Sequence, residues 1–213
     1  ELEGVYCINQ GYTQFRKIKS LYANEEYTIV DLPGTYSLSA NSDEEIITRD
    51  YIADGKADLV CILADASQLE RSLFMLTDFM GLNVPAVLIL NLMDVAEKLG
   101  KKIDVKSIEN KLGIPVIPFI AADKTQYPNL LKTLKKALTE KKTLDAGSFE
   151  AYFANETAIP YFAVKELVSD AETTFRSAHW LAVKCIENDK NILNLNYSPL
   201  YGESGSKSHS YCV

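Results

Sequence analysis

Val84-Pro85-Ala86-Val87-Leu88-Ile89-Leu90-Asn91-Leu92-Met93-Asp94 is an apolar run that stops on two polar residues three positions apart. A run this short and this continuously apolar reads as a strand buried on both faces, as found where helices cover both sides of a parallel sheet. Working outward, three more runs share its form. Tyr27-Thr28-Ile29-Val30 ends at Asp31, Leu59 to Ala64 ends at Asp65, and Ile114 to Ile120 ends at Ala121-Ala122-Asp123. Polar segments and helical patterns follow them, so the expected fold is α/β, a doubly wound and mostly parallel sheet. Cys61 falls inside one of these strands and is expected to be buried.

Between the strands, Ser42-Asp43-Glu44-Glu45 sets a capping hydroxyl three residues before a glutamate, and Ile46, Ile47, Tyr51 and Ile52 follow at helical spacing. Further helices are predicted over 69–80, 105–112 and 130–138, the second closed by Gly113 and Pro115. Gln14 to Tyr22 is predicted to pair with Tyr27 to Asp31 across Ala23-Asn24-Glu25-Glu26. Beyond Glu140-Lys141-Lys142 the strand signals end, and helical patterns over 149–154, 161–175 and 177–187 predict a small all-α domain. The expected organisation is an α/β domain over 1–142, a helical domain over 143–196 and a mobile, Ser- and Gly-rich tail over 197–213.

Composition narrows the function classes. The 213 residues are 47% hydrophobic and 24% charged, which excludes a wholly disordered chain. Lys and Arg number 22 against 29 Asp and Glu, a net charge of -7 that repels a nucleic-acid backbone, so no nucleic-acid partner is expected. Cys7, Cys61, Cys185 and Cys212 form no C-x-x-C pair and suit a reducing compartment. The run Val84 to Leu90 is far short of the roughly 20 apolar residues that cross a bilayer, and the acidic Glu1-Leu2-Glu3 is no signal peptide. The stretch is therefore expected neither to span a membrane nor to enter a secretory path.

Ligands of open parallel sheets sit at the carboxyl ends of the strands. Asp31-Leu32-Pro33-Gly34 places a carboxylate that can hold Mg²⁺ through water, and a glycine whose backbone N–H can approach a terminal phosphate. Asn91-Leu92-Met93-Asp94 places a carboxylate that accepts from both the ring N–H and the exocyclic amine of guanine. Adenine offers an acceptor at the ring position and leaves the charge unpaired. Asn91 would brace the loop and meet the other edge of the base, and Ala121 would supply a backbone N–H to the guanine carbonyl. Each motif alone has a plainer reading, a strand-to-loop turn for D-x-x-G and a helix cap for Asp94. Their order and spacing favour a single guanine nucleotide touching all three.

Asp31-Leu32-Pro33-Gly34-Thr35-Tyr36-Ser37-Leu38, Arg49-Asp50-Tyr51, Asp65-Ala66-Ser67-Gln68-Leu69-Glu70-Arg71, Asn91-Leu92-Met93-Asp94 and Lys102-Ile103-Asp104 resemble the G domain of the bacterial ferrous-iron transport protein B family. The likeness runs from about Gly11 to Leu138. Downstream, His179-Trp180-Leu181-Ala182-Val183-Lys184-Cys185-Ile186-Glu187-Asn188-Asp189 is similar to the family's R-W-L-A-x-K-L-L-E-x-D helix, in the helical domain that damps nucleotide release. The resemblance implies a P-loop GTPase fold that binds GTP/GDP and Mg²⁺ and hydrolyses GTP. It also implies a place at the cytoplasmic face of the cell membrane, as the regulatory part of a ferrous iron (Fe²⁺) transporter. Its partners would be the transporter's membrane-spanning part and a small accessory protein. Gly11-Tyr12-Thr13 stands where the family has G-V-T, so the resemblance gives Thr13 the role of closing over Mg²⁺ and the terminal phosphate; Gln14 and Phe15 depart from the family's V-E. A threonine in an ordinary strand is the plainer reading. Thr35 follows Gly34 where many GTPases carry a water-positioning glutamine, which implies slow hydrolysis and a switch-like role.

A phosphate-cradling G-x-x-x-x-G-K-[ST] is expected roughly twenty residues before Thr13. The Gly-Lys pairs present, Gly55-Lys56 and Gly100-Lys101, lack the preceding glycine and the following Ser or Thr. A fragment of a longer protein is the preferred explanation, because the family's membrane part is missing too; a degenerate member that has lost the loop is the other. Without that cradle several charge-assisted contacts of about 1.5 to 3 kcal/mol each are lost, so tight GTP binding is not expected of these residues alone. A non-hydrolysing interaction domain is accordingly the competing function. A ribosome-assembly GTPase is disfavoured by the acidic balance and the helical module. His209 and Cys212 make too few ligands for a metal site, His179 reads as a packing residue, and Lys132, Lys135, Lys136, Lys141 and Lys142 read as a solvated helix face that could also meet anionic lipid.

Overall fold

The computed structural model describes residues 14–19, 26–32, 38, 42–156, 161–190, 192 and 193. β1 (Gln14–Lys19) and β2 (Glu26–Asp31) form an antiparallel ribbon in which Gln14 faces Asp31; the expected turn lies outside the described residues. α1 (Asp43–Ala53) begins where the Ser42 hydroxyl accepts the Glu45 N–H at 3.2 Å, satisfying one of the donors every helix start leaves open. β3 (Val60–Asp65), β4 (Ala86–Asn91) and β5 (Val116–Pro118) make a parallel sheet in that order. Between and after them run α2 (Leu69–Phe74), α3 (Met93–Lys98), α4 (Val105–Leu112) and α5 (Tyr127–Glu140). Three helices follow, α6 (Gly147–Glu156), α7 (Tyr161–Leu167) and α8 (Ala178–Ile186).

β4 is apolar throughout because both of its faces are covered. Leu88 and Leu90 point into the main core with Ile62, Ala64 and Val116, while Val87 and Ile89 join Ile117 and Phe119 beneath Tyr127, Leu130 and Leu134 of α5. Each large aliphatic side chain so buried stabilises the fold by about 1.5 to 3 kcal/mol. Tyr161, Trp180, Leu181, Cys185 and Ile192 pack into that same main core against residues such as Leu76 and Phe79. The helices beyond residue 143 are therefore built onto the sheet rather than around a core of their own.

Several expectations change. The helix over 69–80 is α-helical only to Phe74 and continues as a 3₁₀ turn over Met75–Phe79. The Thr77 hydroxyl donates to the Phe74 carbonyl at 2.8 Å, and the Asp78 side chain is drawn away to Leu38 and Lys184. The helix over 161–175 stops at Leu167, followed by a 3₁₀ turn over Ser169–Ala171. Beyond it the Thr173 hydroxyl accepts the Arg176 N–H, and the Phe175 carbonyl accepts the Asn83 N–H, contacts a continuous helix does not permit. β5 shrinks to three residues, bracketed by Pro115 and containing Pro118, neither of which has an N–H for a ladder.

β2 pairs with β1 and not with the parallel sheet, and among the described residues β3 has a ladder partner on one edge only. In line with that, Cys61 is exposed and Leu63 is 66% exposed, against the expectation of a strand buried on both faces.

Candidate functional site

The parallel register sets Asp65 directly opposite Asn91 at the carboxyl tips of β3 and β4. Asp65 turns onto its own loop, where it accepts the Ser67 hydroxyl at 2.6 Å and the Ser67 N–H at 2.8 Å. The Ser67 hydroxyl foremost, with the backbone N–H groups of Ser67 and Gln68 and the Gln68 side chain, holds this carboxyl below the usual aspartate range against the opposing effect of burial. Ser72 closes the same turn, its hydroxyl accepting the Asp65 N–H at 3.0 Å.

Asn91 reaches the other way. Its Oδ1 accepts the Ala121 N–H at 3.1 Å, joining the tip of β4 to the loop after β5. That loop is held at several further points. The Ala121 carbonyl accepts the Tyr127 hydroxyl at 3.0 Å, the Gln126 Oε1 accepts the Ile120 N–H at 3.0 Å, and Asp123 accepts the Thr125 hydroxyl at 2.7 Å and its N–H at 3.0 Å. Those Thr125 contacts, the hydroxyl foremost, keep the Asp123 carboxyl low.

Between Asn91 and α3 the chain turns through Leu92 at φ +62°, a left-handed conformation that costs a bulky residue roughly 1 to 2 kcal/mol. Such strain persists where the surroundings demand it. The turn delivers Asp94 to the first turn of α3, where it caps nothing: the helix start has no side-chain cap, and the Asp94 carboxylate instead accepts from Lys98 Nζ at 3.4 Å while remaining partly exposed. Asp94 and Met93 border an open cleft of about 390 Å³, whose other walls include Gly100, Lys101, Ile103 and Ile120. This lies within the roughly 300 to 1,000 Å³ of typical small-molecule sites. Lys101 donates to the Ser67 carbonyl and so ties the wall of the cleft to the loop after β3.

Two of the expected site residues are thus brought together, Asn91 and Ala121, which are bonded; Asp94 borders a cleft that Ile120, the neighbour of Ala121, also lines. Asp31 stands exposed at the end of β2, on the antiparallel ribbon. Thr13, Gly34 and Thr35 lie outside the described residues. The Ala121 amide, expected to face the base, is already given to Asn91; the next one, Ala122 N–H, has no partner among the described residues. Sequence reasoning missed Ala122 and Lys101. The signal for Ala122 was present, since an asparagine that braces the loop must consume one of its donors. Among the described residues no group of three or more His, Cys, Asp or Glu is placed to hold a metal ion, and no helix is long and apolar enough to cross a membrane.

Comparison with known proteins is consistent with this geometry. The sequence profile of the family described as Ferrous iron transport protein B matches residues 9–134. The Fe(2+) transporter FeoB of Salmonella typhimurium is 33% identical over 173 residues; the match covers 78% of this chain and 21% of that protein, so the chain spans about a fifth of the length of this relative. The FeoB G-domain of Methanococcus jannaschii is 42% identical with a TM-score of 0.55, covering 59% of this chain and 79% of that one. The cytosolic domain of the T. maritima FeoB iron transporter, in its GMPPNP form, is 25% identical with a TM-score of 0.72 over 92% of this chain and 74% of that one.

Proposed function

The chain belongs to the Ferrous iron transport protein B family, and from that premise we propose that it is the guanine-nucleotide-binding, GTP-hydrolysing regulatory portion of a ferrous-iron membrane transporter. The observation that carries the reading is the junction of two strand ends, in which Asn91 holds the loop of Ala121 while Asp94 borders the adjoining cleft. A purine seated there meets a carboxylate on the edge where guanine has two donors, and a free Ala122 N–H for its carbonyl oxygen. The relatives whose structures carry GMPPNP or GDP·AlF4⁻ support guanine nucleotide as the ligand.

In this reading Asp94 selects the base, Asn91 positions the loop and Ala122 supplies the backbone donor first assigned to Ala121. Asp31 holds Mg²⁺ through water, its exposed carboxylate at a strand end being suited to a hydrated cation. Gly34 and Thr13 approach the terminal phosphate. Thr35, in place of a glutamine, makes hydrolysis slow. The transporter's membrane-spanning part is the physical partner, on the cytoplasmic side, and a small accessory protein is a second one.

The competing reading is a non-hydrolysing interaction domain that keeps the fold and serves only partner docking. Phosphate release from GTP separates the two. Slow, Mg²⁺-dependent release that Asp31→Asn abolishes supports the GTPase, whereas bound GTP that stays intact through many hours favours the interaction domain.

A further inference from the structure

Of the six residues of α3 only Ala96 is buried, so packing pins this helix firmly at one point and its direction is set by what holds its two ends. The start is fixed by the turn at Leu92 and by Asn91, which is bonded to Ala121. The end is fixed by a lysine. Gly100, at φ +72°, closes the helix with its N–H on the Glu97 carbonyl at 2.8 Å, and the Lys101 N–H returns to the Ala96 carbonyl at 3.0 Å. This paired ending is a common way for a glycine to stop a helix. It sends the next side chain out to the loop after β3, where Lys101 Nζ donates to the Ser67 carbonyl. The acceptor is a fixed post: Ser67 is 8% exposed, Asp65 holds both its N–H and its hydroxyl, and Ser72 holds the Asp65 N–H in turn. α3 is therefore a strut between the loops after β5 and β3, and Asp94 rides on it between the two fixings.

We propose that Lys101 is a positioning residue for guanine selection: by tying the end of α3 to Ser67, it holds the Asp94 carboxylate where both donors of the guanine edge reach it. This rests on the reading that Asp94 meets that edge. Asp94 and Lys101 line the same cleft, one from the first turn of α3 and one from just beyond its end. Two parallel bonds to one carboxylate tolerate little displacement, because hydrogen bonds weaken steeply away from their preferred geometry. A single bond tolerates more. A strut released at one end therefore costs GDP more than IDP, which offers the carboxylate only its ring N–H. Arginine in place of Lys101 still brings a cationic donor to the carbonyl, whereas methionine keeps the length of the stem and has no donor.

The test is a nuclear magnetic resonance titration of the full chain with GDP and with IDP, unsubstituted and as Lys101→Met, Lys101→Arg and Lys106→Met. Lys106 is exposed on α4 and controls for the lost charge. Before any nucleotide is added, Lys101→Met should move the amides of Gln68, which follows the Ser67 carbonyl, and of Asp94 together, and Lys101→Arg should move them less. An unmoved Gln68 amide overturns the tie without reference to a ligand. With nucleotide, Lys101→Met should shrink the preference for GDP over IDP by about threefold to tenfold, the scale of one hydrogen bond, while Lys101→Arg and Lys106→Met retain it. A merely structural role would lower the folded fraction and weaken both nucleotides by the same factor, leaving their ratio in place; that result overturns the proposal. The two readings fail differently. No preference for GDP over IDP in the unsubstituted chain contradicts the guanine site and, with it, the role given to Lys101, whereas a preference that Lys101→Met leaves intact contradicts the role of Lys101 alone.

Discussion

Asn91 Oδ1 and the Ala121 N–H, thirty positions apart in sequence, meet at 3.1 Å and lock the end of the central strand to the loop of its neighbour. The bond accounts for a polar residue closing the apolar run of β4, and it decides which backbone donors remain for a ligand. Asn91→Ala should lower stability by about 1 kcal/mol, the usual net worth of such a bond, in urea unfolding. Asn91→Asp, which keeps an acceptor in place, should lose less. Equal stability of Asn91→Ala and the unsubstituted chain would show that the loop holds itself.

Gly55 follows α1 at φ +66°, and a Cβ placed on it would meet the Phe175 ring at 2.2 Å. Gly55→Ala combines a left-handed backbone with a collision against a packed ring, for a cost of about 2 to 4 kcal/mol. Thermal unfolding checks it. Gly100→Ala is the comparison, because Gly100 has φ +72° but open space around its missing Cβ; its loss should be only the backbone part, about 1 kcal/mol.

Arg49 is completely buried within α1, and its guanidinium meets Asp189 beyond α8 as well as Asp50 at 2.9 Å. Asp189→Asn removes the buried half of the charge that faces Arg49 and leaves Asp50 as its remaining carboxylate, so it should destabilise by about 1.5 to 3 kcal/mol, the worth of a hydrogen bond to a charged group. Differential scanning calorimetry should show a single transition moved downward, because α1 and α8 share one core. Two separate transitions would mean that the helices after residue 143 unfold on their own.

These contacts mark where the sequence stopped being readable. The four apolar runs and the Ser42 cap announced their elements because strand burial and helix capping are local, periodic properties. The breaks at Phe74 and Leu167 did not, because they are imposed by partners a hundred positions away: Lys184 and Trp180 on Asp78, Asn83 on Phe175. Cys61 and Leu63 misled for a related reason. Their alternation-free run suggests two covered faces, but α5 covers the neighbouring strands and leaves this part of β3 open. At the site, the residue types of Asn91 and Asp94 were legible, whereas the competition for the Ala121 amide was visible only in three dimensions.

His179 is 4% exposed, and its Nδ1 lies 2.6 Å from the Tyr161 hydroxyl. Burial lowers its pKa; the nearby Lys165 adds to the effect, and Glu150 opposes it. The folded state therefore binds this proton less readily than the unfolded chain, whose histidine titrates near 6.5. The associated stability is complete above that pH and is lost as pH falls through the lower folded value. Melting temperature should drop on acidification from pH 7.5 to 5.5, and His179→Asn should flatten the drop. An unchanged slope in that variant would assign the dependence to other groups.

The central claim is that Asp94, Asn91 and the loop of Ala122 receive one guanine ring. The most direct measurement is a nuclear magnetic resonance titration of the ¹⁵N-labelled protein with GDP, IDP and ADP at millimolar concentration, which detects even weak binding. GDP should move the amides of Asp94 and Ala122 at the lowest concentration. IDP, lacking the exocyclic amine, should need about ten- to a hundredfold more, the worth of one charge-assisted bond, and ADP should leave these amides in place. If all three nucleotides shift the same amides at the same concentrations, or GDP moves neither Asp94 nor Ala122, the guanine site is not there.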